Sequence, residues 1–528
     1  MKYVQGNDRY QSKISTGCLD ETIDADNPVR VIDAFVDTLP LETFGFRLDY
    51  GENGRPAYHP ADLLKLFIYG YQNRIRSSRG LEAECKRNIE LFWLMKELRP
   101  DHNTINRFRK DNAEAIRQVF IATVQTAQNL NLIGGALLAT DSTKLRAQNS
   151  KKNNYNAKKI KRHIEYIDRK LVEYTQRLAQ ADGDHDDPDE PNEMDRDQIN
   201  KDIQKHQSRR KQYQSLQQQL DETGEEQIST SDPDSRQMVL RGQITEVAYN
   251  VQSTVDARHH IPIDYHVTNQ NDSKAMGPML ERAIEIIGHN QFTALFDKGY
   301  HTGSEFARAN QLEVNVLVAA PAVSSHAPNP MFDVSEFTYN PTKDQYTCPA
   351  GKLLRTNGRW YTKSHGKTKV QVKHYKTKSC ATCVLASACT RNPKGRLIER
   401  SEHTTLISEN AARIAANPAL YKKRQSIVEH PFGTMKRQWG FDHIMTKKRK
   451  HHAAADVGLM FVAYNLKRLM SLVSPQELKA ALGSILGRFL AVLSMHTSVF
   501  AVVQRFFGSF CLSQPFSASL SKPKIWAT

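Results

Sequence analysis

Leu137-Leu138-Ala139-Thr140-Asp141 and Ala294-Leu295-Phe296-Asp297-Lys298-Gly299-Tyr300 are two short apolar runs, each closed by an aspartate. Runs of this length, rich in aliphatic residues and bounded by turn formers, predict buried strands with an acid at the end of each. A third acid, Glu429, stands in Val428-Glu429-His430-Pro431-Phe432-Gly433-Thr434-Met435-Lys436-Arg437, a basic segment that reads as helix. One acid at a strand end means little. Two of them, with a distant glutamate among lysines and arginines, predict a site that grips Mg²⁺ and a nucleic-acid backbone together.

Outward from the first strand, residues 246–268 alternate. Val247, Tyr249, Val251, Ser253 and Val255 form one run, and Ile261, Ile263, Tyr265 and Val267 the next. Asp256-Ala257-Arg258-His259-His260 between them reads as a hairpin turn. Asn271-Asp272-Ser273 then caps a helix whose Met276, Met279, Leu280, Ala283, Ile284 and Ile287 recur at helical spacing. The Asp297 strand, a short helix near 304–310 and an apolar strand at 314–319 follow, and a helical region from about 409 carries Glu429. The order β, β-hairpin, α, β, α, β and a late α matches the ribonuclease H-like α/β fold, a mixed sheet flanked by helices. In that fold the three acids converge on one sheet edge.

Two insertions interrupt this predicted core. Ile160, Ile164, Ile167, Leu171, Tyr174 and Leu178 make a coiled-coil seam, and an acidic stretch at 181–197 separates them from Ile199, Ile203, Tyr213, Leu216 and Leu220. An antiparallel helical hairpin over 151–225 is expected. The second insertion, 322–400, holds Cys348, Cys380, Cys383 and Cys389 of the seven cysteines. Its Cys-x₂-Cys and the Cys-Pro-Ala-Gly turn predict a structural Zn²⁺ site, against the alternative of unligated thiols. Cys18, Cys85 and Cys511 are scattered and read as core.

The first 130 residues read as all-helical, with Pro60 opening one helix, Ser77-Ser78-Arg79-Gly80 leading into another and Asp101-His102-Asn103-Thr104 capping a basic one. They predict either a helix-turn-helix-like DNA-binding domain or a plain bundle. A catalytic domain at 131–470 and a helical tail at 471–528 complete the expected organisation. The net charge of +16 over 528 residues favours a polyanionic partner. The N-terminus offers no apolar signal-peptide core, and the apolar tail near 489–503 is too short and charged to span a bilayer, so a cytoplasmic, membrane-free protein is expected.

The chemistry fits the residues. Two Mg²⁺ ions about 3.5–4 Å apart need bridging and flanking carboxylates. Asp141 would bridge, with Asp297 and Glu429 each completing one ion. Asp256 and Asp272 compete with Asp297, although turn and cap positions already account for them. Lys436, Arg424 and Tyr421 are candidate backbone contacts, and Trp439 is equally a core residue or a base-stacking one. The chain resembles the DDE transposases of bacterial insertion sequences. The likeness runs through Ala139-Thr140-Asp141-Ser142-Thr143-Lys144, Asn271-Asp272, Asp297-Lys298-Gly299-Tyr300, Val428-Glu429-His430-Pro431-Phe432-Gly433 and Ala463-Tyr464-Asn465-Leu466-Lys467-Arg468. It also takes in the helical N-terminal domain and the cysteine insertion. Tyr421, Arg424, Glu429 and Lys436 follow a Tyr-x₂-Arg-x₃-Glu-x₆-Lys signature, except that four residues separate Arg424 from Glu429. The resemblance implies Mg²⁺- or Mn²⁺-dependent cutting at terminal inverted repeats of double-stranded DNA. It further implies joining of the 3′-hydroxyl to target DNA, self-association at least to a dimer on DNA, and nucleoid association when bound. The rival expectation is an inactive, transposase-derived DNA-binding protein.

Overall fold

The computed structural model describes residues 17–49, 56–181, 193–241, 244–322, 327–365 and 368–482. The expected helix near 489–503 and Cys511 lie outside the described residues, as does most of the acidic stretch at 181–197. Six helices come first: α1 (Val29–Asp37), α2 (Pro60–Gln72), α3 (Ser78–Glu84), α4 (Ile89–Leu94), α5 (His102–Asp111) and α6 (Ala113–Asn129). Their starts follow ordinary capping chemistry. The Ser77 hydroxyl accepts from the Gly80 N–H at 2.9 Å, and the Asp101 carboxylate from the Asn103 and Thr104 N–H groups at 2.9 and 3.1 Å.

Strand β1 (Leu137–Arg146) then leads into α7 (Ala157–Ala181), which packs antiparallel on α8 (Glu193–Thr223). His163 stacks on Tyr213 with ring centroids 4.8 Å apart, and Arg210 pairs with Asp168 at 2.7 Å. The chain returns to the sheet through β2 (Arg236–Arg241), β3 (Ile244–Asp256) and β4 (Pro262–Thr268). After α9 (Met276–Ile287) come β5 (Thr293–Phe296), α10 (Gly303–Gln311) and β6 (Asn315–Val318). The sheet order is β2-β3-β1-β5-β6, with β4 also on β3. Strands β5 and β6 run parallel to β1, while β2, β3 and β4 complete antiparallel pairs.

Two details depart from the sequence reading. Strand β2 was not expected, and Asp141 does not end β1. The polar half of that strand, through Arg146, stays paired to the long β3. What ends near Asp141 is the parallel pairing, whose last partners are Ala139 and Leu295.

The edge strand β6 is closed by a side chain. Buried Asn410 on α11 (Thr404–Ala416) accepts from the Val318 N–H at 2.9 Å and donates to the Val318 carbonyl at 2.8 Å, standing in for a neighbouring strand. On one sheet face, Ile427 and Val428 of α12 (Pro418–Phe432) pack on Ala139, Val255, Leu295 and Leu317. Leu138, Val251, Ile263 and Tyr265 join the N-terminal helices in a second, larger and continuous apolar cluster. Leu138 and Ala139 thus face opposite sides, as strand alternation requires.

The last helix, α13 (Lys450–Leu472), is buried nearly all round from Val457 to Leu466. A helix apolar on every side belongs inside a core, and α13 lies between α2, α5, α6 and β4. At Gly458 an added Cβ would sit 2.5 Å from the Tyr265 hydroxyl and 2.8 Å from Ile116, so the close approach needs glycine. Asp456, fully buried, ties this helix to the N-terminal unit. It pairs with Arg76 at 2.7 Å and Arg109 at 3.5 Å, accepts from the Met445 N–H at 2.8 Å and from the Tyr71 hydroxyl. Arg109, part of the α5 helix that reads as basic, is only 2% exposed and serves this network.

Between β6 and α11 stands a lobe with a small core of its own, Phe337, Tyr346, Leu354, Tyr375 and Ile398. It has two three-stranded antiparallel sheets, β7 (Thr338–Asn340), β8 (Gln345–Thr347) and β9 (Leu353–Arg355), and β10 (Tyr361–His365), β11 (Thr368–Tyr375) and β12 (Ile398–Ser401).

Candidate active site

The register that pairs Ala139 with Leu295 puts Asp141 level with Asp297, two residues beyond the last parallel partners. The charge of Asp297 is among the influences that raise the Asp141 carboxyl. Burial is the largest cause of that raised value, and Arg424 works against it. The Asp141 side chain keeps 26% exposure, accepts from the Ser142 N–H at 2.8 Å, and is paired with Arg424 of α12 at 3.0 Å. Asp297 caps the turn Lys298–Tyr300, accepting from the Gly299 N–H at 2.8 Å.

A third aspartate joins this pair, and it is not the one the sequence placed there. Asp272 was expected in a helix-capping position, but Asn271 caps the short 3-10 turn Asp272–Lys274, accepting from the Ser273 N–H at 3.4 Å, and α9 itself starts after Ala275 without a side-chain cap. Asp272 turns inward, where Asn250 and Gln252 of β3 donate to its Oδ1 at 2.7 and 2.6 Å and Lys144 stands 3.9 Å away. A Cβ built on Gly299 would lie 3.0 Å from an Asp297 oxygen and 3.3 Å from one of Asp272, so both acids close over that glycine. Beneath them the buried Tyr300 hydroxyl donates to Gln252. Burial, then the charges of Asp272, Asp141 and Asp297, push this phenol far above its usual range. No local sequence signal distinguishes an inward Asp272 from a capping one; its partners Asn250 and Gln252 become neighbours only through strand pairing. Asp256 is far from this cluster in register, opposite Leu138 at the start of β1. There it is 1% exposed and accepts from the N–H groups of Gly134, Gly135 and Arg258 at 3.1, 2.9 and 2.9 Å, a structural role.

Helix α12 crosses this strand end. The Tyr421 hydroxyl donates to the Phe296 carbonyl at 3.0 Å, Arg424 holds Asp141, and Ile427 and Val428 bury against the sheet. Glu429 leaves the helix on another side, exposed, with Gln425 donating to its Oε1 at 2.9 Å. Continuous α-helical spacing would set Lys436, seven residues on, on the same face as Glu429. The structure separates them, because the α-helix gives way to a π-helical turn over Gly433–Gln438. The wider turn changes the phase, and Lys436 points at β1, donating to the Thr143 hydroxyl at 2.8 Å and the Lys144 carbonyl at 3.2 Å. Trp439 is 6% exposed, set against Phe441 and Tyr464 in the core.

The signature Ala463-Tyr464-Asn465-Leu466-Lys467-Arg468 supports the site from behind. Asn465 donates to the Thr123 hydroxyl at 2.9 Å and the Pro262 carbonyl at 3.0 Å, and Arg468 to the His259 carbonyl at 3.0 Å. The Tyr464 hydroxyl meets His430, the neighbour of Glu429, at 2.6 Å.

In the lobe, Cys348, Cys380, Cys383 and Cys389 line one pocket and are free thiols. Cys389 is raised by burial and then, in part, by the charges of the other three. The Lys352 N–H donates to the Cys348 sulfur at 3.3 Å across the Cys-Pro-Ala-Gly turn, where Gly351 has φ +72°. As placed, no group of three or more His, Cys, Asp or Glu side chains among the described residues is set to hold a metal ion. No described helix is long and apolar enough to cross a membrane.

Two family models match the chain. Residues 17–111 match a transposase domain (DUF772), and residues 347–470 match a transposase DDE domain. The second match spans the lobe from Cys348 onward, α12 with Glu429, and α13. Together the two matches support an insertion-sequence DDE transposase. No curated protein matches the chain.

Proposed function

We propose that the protein cuts double-stranded DNA at insertion-sequence ends and joins the freed 3′-hydroxyl to target DNA, on a ribonuclease H-like sheet. The observation that carries this reading is the levelling of Asp141 with Asp297 at the end of the parallel strands, under a helix that bears Arg424 and Glu429. Asp141, Asp297 and Asp272 crowd one strand end, with Arg424 on Asp141 and Lys144 within 3.9 Å of Asp272. Burial already disfavours the charged form of Asp141. All-oxygen donors in a pocket short of positive charge suit a hard divalent cation, Mg²⁺ or Mn²⁺. Asp141, Asp297 and Glu429 would hold it, and it would supply Lewis-acid polarisation of the phosphate and a lowered pKa for the attacking hydroxyl.

The chain's own residues supply the rest. Turning Glu429 inward costs one exposed hydrogen bond to Gln425, worth roughly 0.5–1.5 kcal/mol. A backbone phosphate gives Arg424 an alternative anionic partner, freeing the Asp141 oxygen it now holds. Tyr421 and Lys436 keep α12 seated on the strands and sit beside the path of the scissile backbone. In each step the nucleophilic oxygen, from water and then from the 3′-hydroxyl, bonds to phosphorus as the bond to the leaving oxygen breaks. The test is a plasmid carrying the element's own ends, incubated with purified protein and Mg²⁺. Strand cuts at those ends, abolished by chelation, are expected. End-binding with no cutting in Mg²⁺ or Mn²⁺ would instead fit an inactive DNA-binding derivative.

The four thiols support a separate structural reading. Soft sulfur donors from two segments on one pocket, beside a core of five large side chains, match the needs of a small lobe held together by Zn²⁺.

A further inference from the structure

The lobe's charge is out of proportion to its size. Residues 338–401 contain 14 Lys and Arg against two Asp and Glu, a net +12 out of the chain's +16. Both acids are already committed. Asp344 is held by Lys373 at 2.8 Å and by the hydroxyls of Tyr375 and Tyr339 at 2.6 and 2.8 Å. These contacts outweigh burial and bring its carboxyl down to about 2. Glu399 is paired with Lys363.

Two of the remaining cations are set side by side. Arg355 at the end of β9 and Lys376 just after β11 exchange both backbone hydrogen bonds, at 3.0 and 3.1 Å. Residues paired in this way project side chains from the same face at neighbouring positions, and like charges so placed repel. Both are exposed, as is Lys378 two residues further on, and none of the three is in an ion pair among the described residues. Among the described residues no acid pairs with any of the three to relieve this repulsion. A regularly spaced polyanion would, because each phosphate that meets a cation also releases condensed counterions.

We propose that this lobe is a DNA-backbone grip, with Arg355, Lys376 and Lys378 contacting phosphates of double-stranded DNA. The choice of DNA over another polyanion rests on the transposase reading; the grip itself rests on the charge. The contact is sequence-independent and distinct from the carboxylate site on the sheet.

The full chain should be tested with a random-sequence duplex over a salt series, comparing wild type with the triple variant Arg355→Gln, Lys376→Gln, Lys378→Gln. Three lost contacts should lower the magnitude of the log-log salt slope by about 2.7, at roughly 0.9 per phosphate. Between 50 and 200 mM salt the variant would then lose about 40-fold less affinity than wild type, by that same relation. A charge-keeping variant, Arg355→Lys with Lys376→Arg and Lys378→Arg, should retain the wild-type slope, which separates lost charge from lost folding. Parallel lines for wild type and the Gln variant would overturn the proposal, as would an RNA or acidic protein whose binding falls in that variant while the DNA slope stays unchanged. Failure to cut DNA would count against the catalytic reading alone, since the slope is measured without cleavage.

Discussion

The sheet with its helical surround and the cysteine-bearing lobe solve the problem of charge in opposite ways. In the first, charges are internal. Asp456, Arg76 and Arg109 are buried together, and Lys65, at 1% exposure, is held by Asp33 and Asp37 at 2.6 Å each. Across residues 338–401 of the lobe, 14 cations stand against two acids by sequence and most stay exposed. A large apolar cluster can organise buried ions, because many contacts fix their geometry and hydrogen bonds satisfy them. A core of five side chains cannot. The difference assigns rigidity to one region and polyanion contact to the other.

The largest effect should come from Asp456→Asn, which leaves Arg76 and Arg109 buried without their carboxylate. Breaking such a pair costs about 3–5 kcal/mol, seen as a lowered urea midpoint at pH 7. Burial alone would raise the Asp456 carboxyl, but Arg76 and Arg109 outweigh it and hold it below the usual value of 3.8. Its contribution is therefore complete above the ordinary carboxylate range and lost as pH falls through the lower folded value. The gap between wild type and variant should narrow on acidification towards pH 3. A constant gap would mean the ion pairing is not what α13 depends on.

Zinc analysis bears on the lobe. Freshly reduced protein should carry about one zinc per chain, and Cys383→Ser should lose it. That loss should loosen the lobe, read as faster amide exchange in residues 338–401, while exchange in α13 stays unchanged. Metal-free wild type with equal protection would show that the small core suffices. The smallest effect is expected for Lys436→Ala, which removes a side chain now bonded to Thr143 and Lys144. If it also meets a phosphate, the salt slope should fall by about one unit, against nearly three for the lobe variant. An unchanged slope would confine Lys436 to holding the π-helical turn on β1.

Much of this architecture could be read before any coordinates. The β1, β3, β4 and β5 runs alternate or run apolar as strands do, and Asp101 sits where the α5 cap is found. What escaped depended on contacts remote in sequence. The basic helix that carries Arg109 gives no sign that this residue is buried, since its partner Asp456 lies far along the chain. Asp272 looked like a cap until β3 offered Asn250 and Gln252. The π-helical turn that separates Lys436 from Glu429 follows no residue type that announces it, and it shifted a face predicted by α-helical spacing.

Comparing cleavage by Asp141→Ala, Asp297→Ala and Glu429→Ala with that by Asp256→Ala tests the catalytic account most directly. Element-end DNA with Mg²⁺ is the substrate, and end-binding is measured in parallel. The account predicts that the first three lose cutting yet keep most end-binding, because metal ligands act in the chemical step while phosphate contacts supply affinity. Asp256→Ala should still cut to the extent that it folds, since its carboxylate only holds the Gly134–Gly135 turn. Appreciable cutting by Asp297→Ala, with loss in a folded Asp256→Ala, would contradict it.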